Sequence, residues 1–111
     1  MNRILSRQAF FADGTPFYRL YTSDGTGYSV RLRFRTAKDN AELVTVVTDS
    51  MKEDMHKCFT EGRFDYYEVM LHYPECGTNY YFTVTGAETD EGKRTAVYNK
   101  TRCDGRRAGL L

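Results

Sequence analysis

The sequence has no Cys-x-x-Cys pair, no histidine at metal-ligand spacing from a cysteine, and no apolar run near the length of a membrane span. Cys58, Cys76 and Cys103 form an odd set without framework spacing, so they read as free thiols in a reducing compartment. No Asp-x-Asp-x-Asp run exists, and Asp90-Glu91 alone reads as a turn, so neither a metal nor a cofactor is expected. The opening MNRILSRQAFF turns polar after Leu5, too soon for a secretory apolar region. A cytoplasmic location with no membrane partner is the expectation. A strong charge of one sign is also lacking. Sixteen basic residues face fifteen acidic ones, a net charge of +1, which argues against nucleic acid as the partner.

Catalytic signatures are equally sparse. Only His56 and His72 supply imidazoles, and neither lies near a Gly-x-Ser-x-Gly elbow or a recognisable cysteine motif. The Asp24-Gly25-Thr26-Gly27 stretch lacks the helix that a phosphate-cradling loop needs after it. Carboxylates fall mostly in turns, and no local pattern singles out a pair. No catalytic residue is assigned, and this chain alone is not expected to be an enzyme.

What is present is alternation. In residues 28–36, YSVRLRFRT, Tyr28, Val30, Leu32 and Phe34 share one face while Ser29, Arg31, Arg33 and Arg35 share the other. Such a period of two is the mark of a half-buried strand. Residues 64–73, FDYYEVMLHY, put Tyr67, Val69, Leu71 and Tyr73 together, opposite Tyr66, Glu68, Met70 and His72. Residues 78–85, TNYYFTVT, put Tyr80, Phe82 and Val84 inward. Residues 42–49, ELVTVVTD, are apolar on both faces and suit a central strand. Shorter strands are expected at residues 8–12, 17–21, 51–59 and 94–99. Turn signals between these runs, Glu61-Gly62 and Lys38-Asp39-Asn40 among them, recur at sandwich-like intervals. No segment holds a helical period for three turns. The expectation is one all-β domain, an antiparallel sandwich of about seven or eight strands over residues 1–100. Residues 101–111 lose the alternation and read as a linker or frayed tail, as if another domain would begin there.

Two sets of side chains are candidates for binding. Tyr66 and Tyr81, with Tyr18 or Tyr21, could present aromatic faces on which a sugar ring or a base stacks. Arg31, Arg33 and Arg35 form either a strand that reads nucleic acid or the charged outer face of an ordinary strand, meeting acids such as Glu42 or Glu68.

The order of motifs adds to this reading. Residues 30–44 (VRLRFRTAKDNAELV), 64–71 (FDYYEVML) and 80–84 (YYFTV) resemble the N-terminal domain of the cyclomaltodextrinase, neopullulanase and maltogenic amylase group. These are α-amylase-type enzymes of glycoside hydrolase family 13, with α-glucosidase relatives, and the domain is classed as carbohydrate-binding module family 34. AFFADGTPFYR (residues 9–19) is similar to the family's first strand and turn, and AVYNK (residues 96–100) to its last strand. The resemblance implies an immunoglobulin-like sandwich preceding a TIM-barrel catalytic domain that acts on α-glucans such as starch or maltooligosaccharides. It implies that the barrel is a partner in cis, and in trans within a dimer, where the sandwich helps wall the cleft. A barrel needs about 250 residues, so the 111 here would be its accessory part. One departure bears on function. The family's Gly-Asp-Pro-Tyr-x-Trp segment is replaced by TDSMKED (residues 48–54), and Tyr67 stands where many relatives have tryptophan. Loss of both tryptophans favours a structural role over direct glucan binding and leaves Arg31, Arg33 and Arg35 as a candidate interface stripe.

Overall fold

The computed structural model describes residues 5–23, 25–48, 51–72, 78–89 and 92–103, with side chains described within residues 5–86. A short 3-10 turn, Arg7–Ala9, precedes seven strands. They are β1 (Arg19–Ser23), β2 (Tyr28–Ala37), β3 (Leu43–Thr48), β4 (Lys52–Glu61), β5 (Phe64–His72), β6 (Thr78–Thr89) and β7 (Gly92–Cys103). All pairings are antiparallel, in the order β1-β2-β5-β4-β3-β6-β7.

Strand β4 is the corner. Its first part pairs with β3, Val44 opposite Met55 and Val47 opposite Lys52. Its second part pairs with β5, and the register shifts between Lys57 and Phe59. An irregularity of this kind bends a strand and raises its twist. Hydrogen bonding is therefore continuous, yet the sheet folds back on itself. The proof is a ring contact: Phe34 of β2 and Phe82 of β6 meet at 4.7 Å between centroids, although β5, β4 and β3 lie between their strands in the sheet.

The core between the two halves is what the alternation dictates. Val30, Leu32 and Phe34 come from β2, Val44 and Val46 from β3, and Met55 from β4. Tyr67, Val69 and Leu71 come from β5, and Tyr80, Phe82 and Val84 from β6. Each set sits at every second residue, so one face of each strand leaves water. The expected all-β antiparallel sandwich is the fold observed. At the β4–β5 hairpin Gly62 occupies the first of two loop positions with φ of 62°, a left-handed conformation that a tight hairpin of this type reserves for glycine.

Three local expectations need correction. Residues 8–12 are not a strand: after the 3-10 turn they make one isolated bridge, Phe11 to Arg35. Phe10 instead enters the core 5.6 Å from the Phe34 ring, and Leu5 lies there too. The first strand begins at Arg19, two residues later than expected, because residues 13–18 form a turn. Asp13 Oδ1 accepts from the Thr15 amide and hydroxyl, and the Thr15 carbonyl accepts from the amides of Tyr18 and Arg19. Strand β7 is longer than residues 94–99 and pairs through Cys103, opposite Thr78. Residues 104–111, most of the expected tail, lie outside the described residues.

Candidate functional site

The outer face of β1, β2, β5 and the end of β4 gathers most of the candidate residues. Register places them in cross-strand rows. Leu20, Arg31 and Met70 form one row, Arg33, Glu68 and His56 the next, and Arg35, Tyr66 and Phe59 the third. The predicted outward direction of the arginines and of Tyr66 is therefore correct. Their exposure is not what an open strand face would give.

The turn at residues 13–18 folds over this face, and the arginines hold it there. Arg31 Nη2 donates to the carbonyls of Pro16 (3.2 Å) and Phe17 (3.4 Å), and Arg33 Nη1 donates to the Phe17 carbonyl (3.5 Å). Arg35 Nε donates to the Ala9 carbonyl at 2.9 Å. Aromatic rings complete the clamp. The Arg33 guanidinium lies 4.7 Å from the Phe17 centroid and 5.3 Å from Phe59, while Arg35 lies 5.2 Å from Phe11 and 4.1 Å from Phe64. Arg33 Nε also donates to Glu68 Oε1 at 3.0 Å, one of the two acids anticipated for the stripe. A guanidinium suits these positions because its flat face stacks on rings while its edge donates in a fork.

Tyr66 is the centre of this outer cluster. Its ring stacks on Phe59 at 4.7 Å, and Phe17 meets both edge-on, at 5.5 Å from Tyr66 and 6.3 Å from Phe59. Only 8% of Tyr66 remains accessible, whereas Phe17 above it is 41% exposed. Tyr18 joins the group through Phe17 and Phe11, and burial, with Tyr66 beside it, raises its phenol pKa. Tyr21 stands opposite Val30 on β1 and packs against the core. Tyr81 stands opposite Val47 on β6, in the other half of the folded sheet. The structure thus brings Tyr18 and Tyr66 together and keeps Tyr81 apart from them.

Nucleophiles and bases do not assemble. Ser29 Oγ lies 3.3 Å from His72 Nδ1, but the two are exposed cross-strand neighbours, and their proximity is what that row of the sheet produces. His56 is exposed opposite Glu68. Cys58 Sγ is half-buried and donates to the Tyr66 carbonyl at 3.2 Å. Burial first, and Glu68 second, push its thiol pKa up, which disfavours the reactive thiolate. Among the described residues no group of three or more His, Cys, Asp or Glu is placed to hold a metal.

The second buried polar feature is Asp65, the acid of the FDYY stretch, 1% exposed. Its carboxylate accepts from the Asp39 amide (2.9 Å), from Thr60 Oγ1, and from Lys57 Nζ (3.4 Å). It thereby ties the β4–β5 hairpin to the β2–β3 connection.

This arrangement is a sandwich with an aromatic and guanidinium layer on one outer face. The family model described as "Alpha amylase, N-terminal ig-like domain" matches residues 19–102, about three quarters of the chain. The chain belongs to the alpha-amylase N-terminal Ig-like domain family. Among solved structures, the Ig-like domain is similar to the type III pullulan hydrolase from Thermococcus kodakarensis, with TM-score 0.64, 21% identity, and coverage of 86% of this chain and 16% of that one. It is also similar to a cyclomaltodextrinase, with TM-score 0.61, 26% identity, and coverage of 86% of this chain and 17% of that one. The first likeness is one of fold alone. The domain spans about one-sixth of the length of either structure. No curated protein matches it. The outer layer of the Ig-like domain was the part that sequence reasoning missed. The signal available was AFFADGTPFYR itself, three phenylalanines and a tyrosine flanking a turn, with more aromatics than a short edge strand needs.

Proposed function

We propose that the chain is the non-catalytic N-terminal sandwich module of an α-amylase-family glycoside hydrolase acting on α-glucans or maltooligosaccharides. In this reading a (β/α)8 catalytic domain is joined in cis, and the module helps shape the cleft and the oligomer, in trans within a dimer as well. The observation that carries the reading is the family match across residues 19–102 of an immunoglobulin-like sandwich. The two carboxylates that glycoside hydrolysis uses would then belong to the barrel.

Within that reading the module packs against protein more than it binds sugar. Sugar recognition by stacking needs an open ring face, and Tyr66 is covered by Phe17. Tyr18, Tyr21 and Tyr81 do not share one open platform with it. Nor are Arg31, Arg33 and Arg35 free to track a phosphate backbone, since each is engaged by carbonyls of residues 9–17. Titration of the labelled chain with maltoheptaose and β-cyclodextrin, followed by NMR, tests the division. Unmoved signals at Tyr18, Tyr21, Tyr66 and Tyr81 are the expected result, together with no hydrolysis of either sugar. Shifts clustered at those residues would make the module a glucan binder, and hydrolysis by the chain alone would overturn the non-catalytic assignment.

A further inference from the structure

Of the five exposed large apolar side chains among the described residues, three cluster on one face: Phe17, Leu20 and Met70. Leu20, Arg31 and Met70 are direct cross-strand neighbours, and Phe17 is tied to Arg31 through its carbonyl. Apolar side chains scattered singly on a surface need no explanation. Leu20 and Met70 flanking one guanidinium, with the Phe17 ring over Arg33 in the adjoining row, have the composition found at interface centres, where aromatic rings, methionine and arginine are enriched.

Among the described residues no carboxylate compensates the charge at the centre of the patch. Glu68, the nearest acid in the rows, is taken by Arg33 at 3.0 Å. Arg31 has no carboxylate partner among the described residues, and its bonds go to neutral carbonyls. Its Nε is out of contact with solvent and has no hydrogen-bond partner there. A half-buried cation held this way is best met by an acid from outside, because a low-dielectric surround strengthens the pair.

We infer that the face centred on the Leu20–Arg31–Met70 row is a docking surface for a protein surface that presents a carboxylate within an apolar rim. Resting on the function proposed above, that surface is one on the catalytic barrel. A second copy of this chain fits less well, since a two-fold contact would set the same cation-centred row against itself. Nucleic acid fits less well too. Exposed Leu20 and Met70 flank the cation, Arg33 is paired with Glu68, and the chain as a whole carries only +1.

Two methionines provide the test. Met70, in the row, is 39% exposed, and Met51, before β4 and away from this face, is 43% exposed. They therefore begin with similar access to oxidants. The full chain is joined in place of the segment it matches in the cyclomaltodextrinase, and hydroxyl-radical footprints of the fusion and the free chain are compared. Oxidation of Met70 is expected to fall several-fold in the fusion while Met51 is unchanged. Leu20→Asp, which leaves the side-chain bonds of Arg31 in place, should restore Met70 oxidation, as should Arg31→Glu. Protection of Met51 with Met70 left open would overturn this face and leave the module reading standing. Protection of neither methionine would overturn this face as well, since the module reading rests on the family match across residues 19–102 and falls only if the free chain hydrolyses glucan. Salt-dependent binding of a single-stranded oligonucleotide to the free chain, lost in Arg31→Glu, would overturn the assignment in favour of nucleic acid.

Discussion

Asp65 Oδ2 accepts the backbone amide of Asp39 at 2.9 Å, so a buried carboxylate in one hairpin holds a left-handed residue in another connection. Asp39 has φ of 54°, the one non-glycine positive φ among the described residues, a conformation that asparagine and aspartate tolerate better than most. Thr60 and Lys57 supply the remaining donors. The pair therefore joins strands β2 and β5 at the end where their turns meet.

Burial alone would raise the Asp65 pKa, but the hydrogen bonds from Thr60 and the Asp39 amide, with Lys57, outweigh it and hold the carboxyl below its usual range. A carboxylate with a depressed folded pKa contributes stability above its unfolded value, near 3.9, and loses it as pH falls through the folded value. Asp65→Asn should therefore cost about 1.5–3 kcal/mol at pH 7, the scale of hydrogen bonds to a charged group. Urea unfolding of both proteins across pH 2–7 checks it. The gap should be constant at neutral pH and should shrink as pH falls below about 4. A gap independent of pH would mean that the ionised form is not what the turn requires.

Phe17→Ala should uncover Tyr66 without unfolding the sandwich. Phe17 lies outside the core, so the loss should be about 1 kcal/mol, the scale of a surface aromatic and cation contact. The informative readout is local. In the NMR spectrum the Phe17 share of the ring-current shifts of Arg33 and Tyr66 side-chain protons should vanish, leaving that of Phe59, while the shifts of the Phe34–Phe82 pair in the core stay put. Loss of dispersion throughout would show that the turn at residues 13–18 is needed for the fold itself.

The core was legible because burial on one face writes a period of two into β2, β5 and β6. Val30, Leu32 and Phe34 can be read without knowing what they touch. The outer layer was not legible, and the reason is physical. Alternation tells which way Tyr66 points, but its burial depends on Phe17, which is far from it in sequence. The same holds for the arginines. Their outward direction follows from the strand, whereas their engagement follows from the path of residues 9–18, whose aromatics and glycine fit a strand or a turn equally well. At residues 8–12 the competing demand won: Phe10 reaches Phe34 only if the chain leaves the extended state in a 3-10 turn. No local periodicity announces that exchange.

Gly86 should resist any side chain. A Cβ placed there would lie 2.6 Å from Leu5 Cδ2 and 2.9 Å from the Asn40 carbonyl oxygen. The leucine end can shift, but the carbonyl belongs to the β2–β3 connection beside Asp39 and cannot move freely. Gly86→Ala is expected to cost about 1–3 kcal/mol, as overpacking does. Proteolysis should report where the strain is released. Asn40 Oδ1 accepts the Ser6 amide at 2.9 Å, so the N-terminal segment should become the first site of cleavage. An unchanged digestion pattern with lowered stability would place the strain at β6 instead.

Cys58 offers a test of how firmly the outer layer is closed. Its Sγ donates to the Tyr66 carbonyl at 3.2 Å, and burial, followed by the charge of Glu68, raises the thiol pKa. Thiolate is the reacting form, so alkylation of Cys58 in the folded chain should be slower than in a peptide at the same pH. Mass spectrometry that resolves modification at Cys58 from Cys76 and Cys103 measures this directly. The rate should rise in Glu68→Gln, because removal of the carboxylate takes away the repulsion that disfavours a second negative charge. The same substitution also frees Arg33, whose guanidinium lowers the Cys58 pKa, so both changes act in one direction. A rate in Glu68→Gln no faster than in the parent chain would show that access, not charge, limits the thiol.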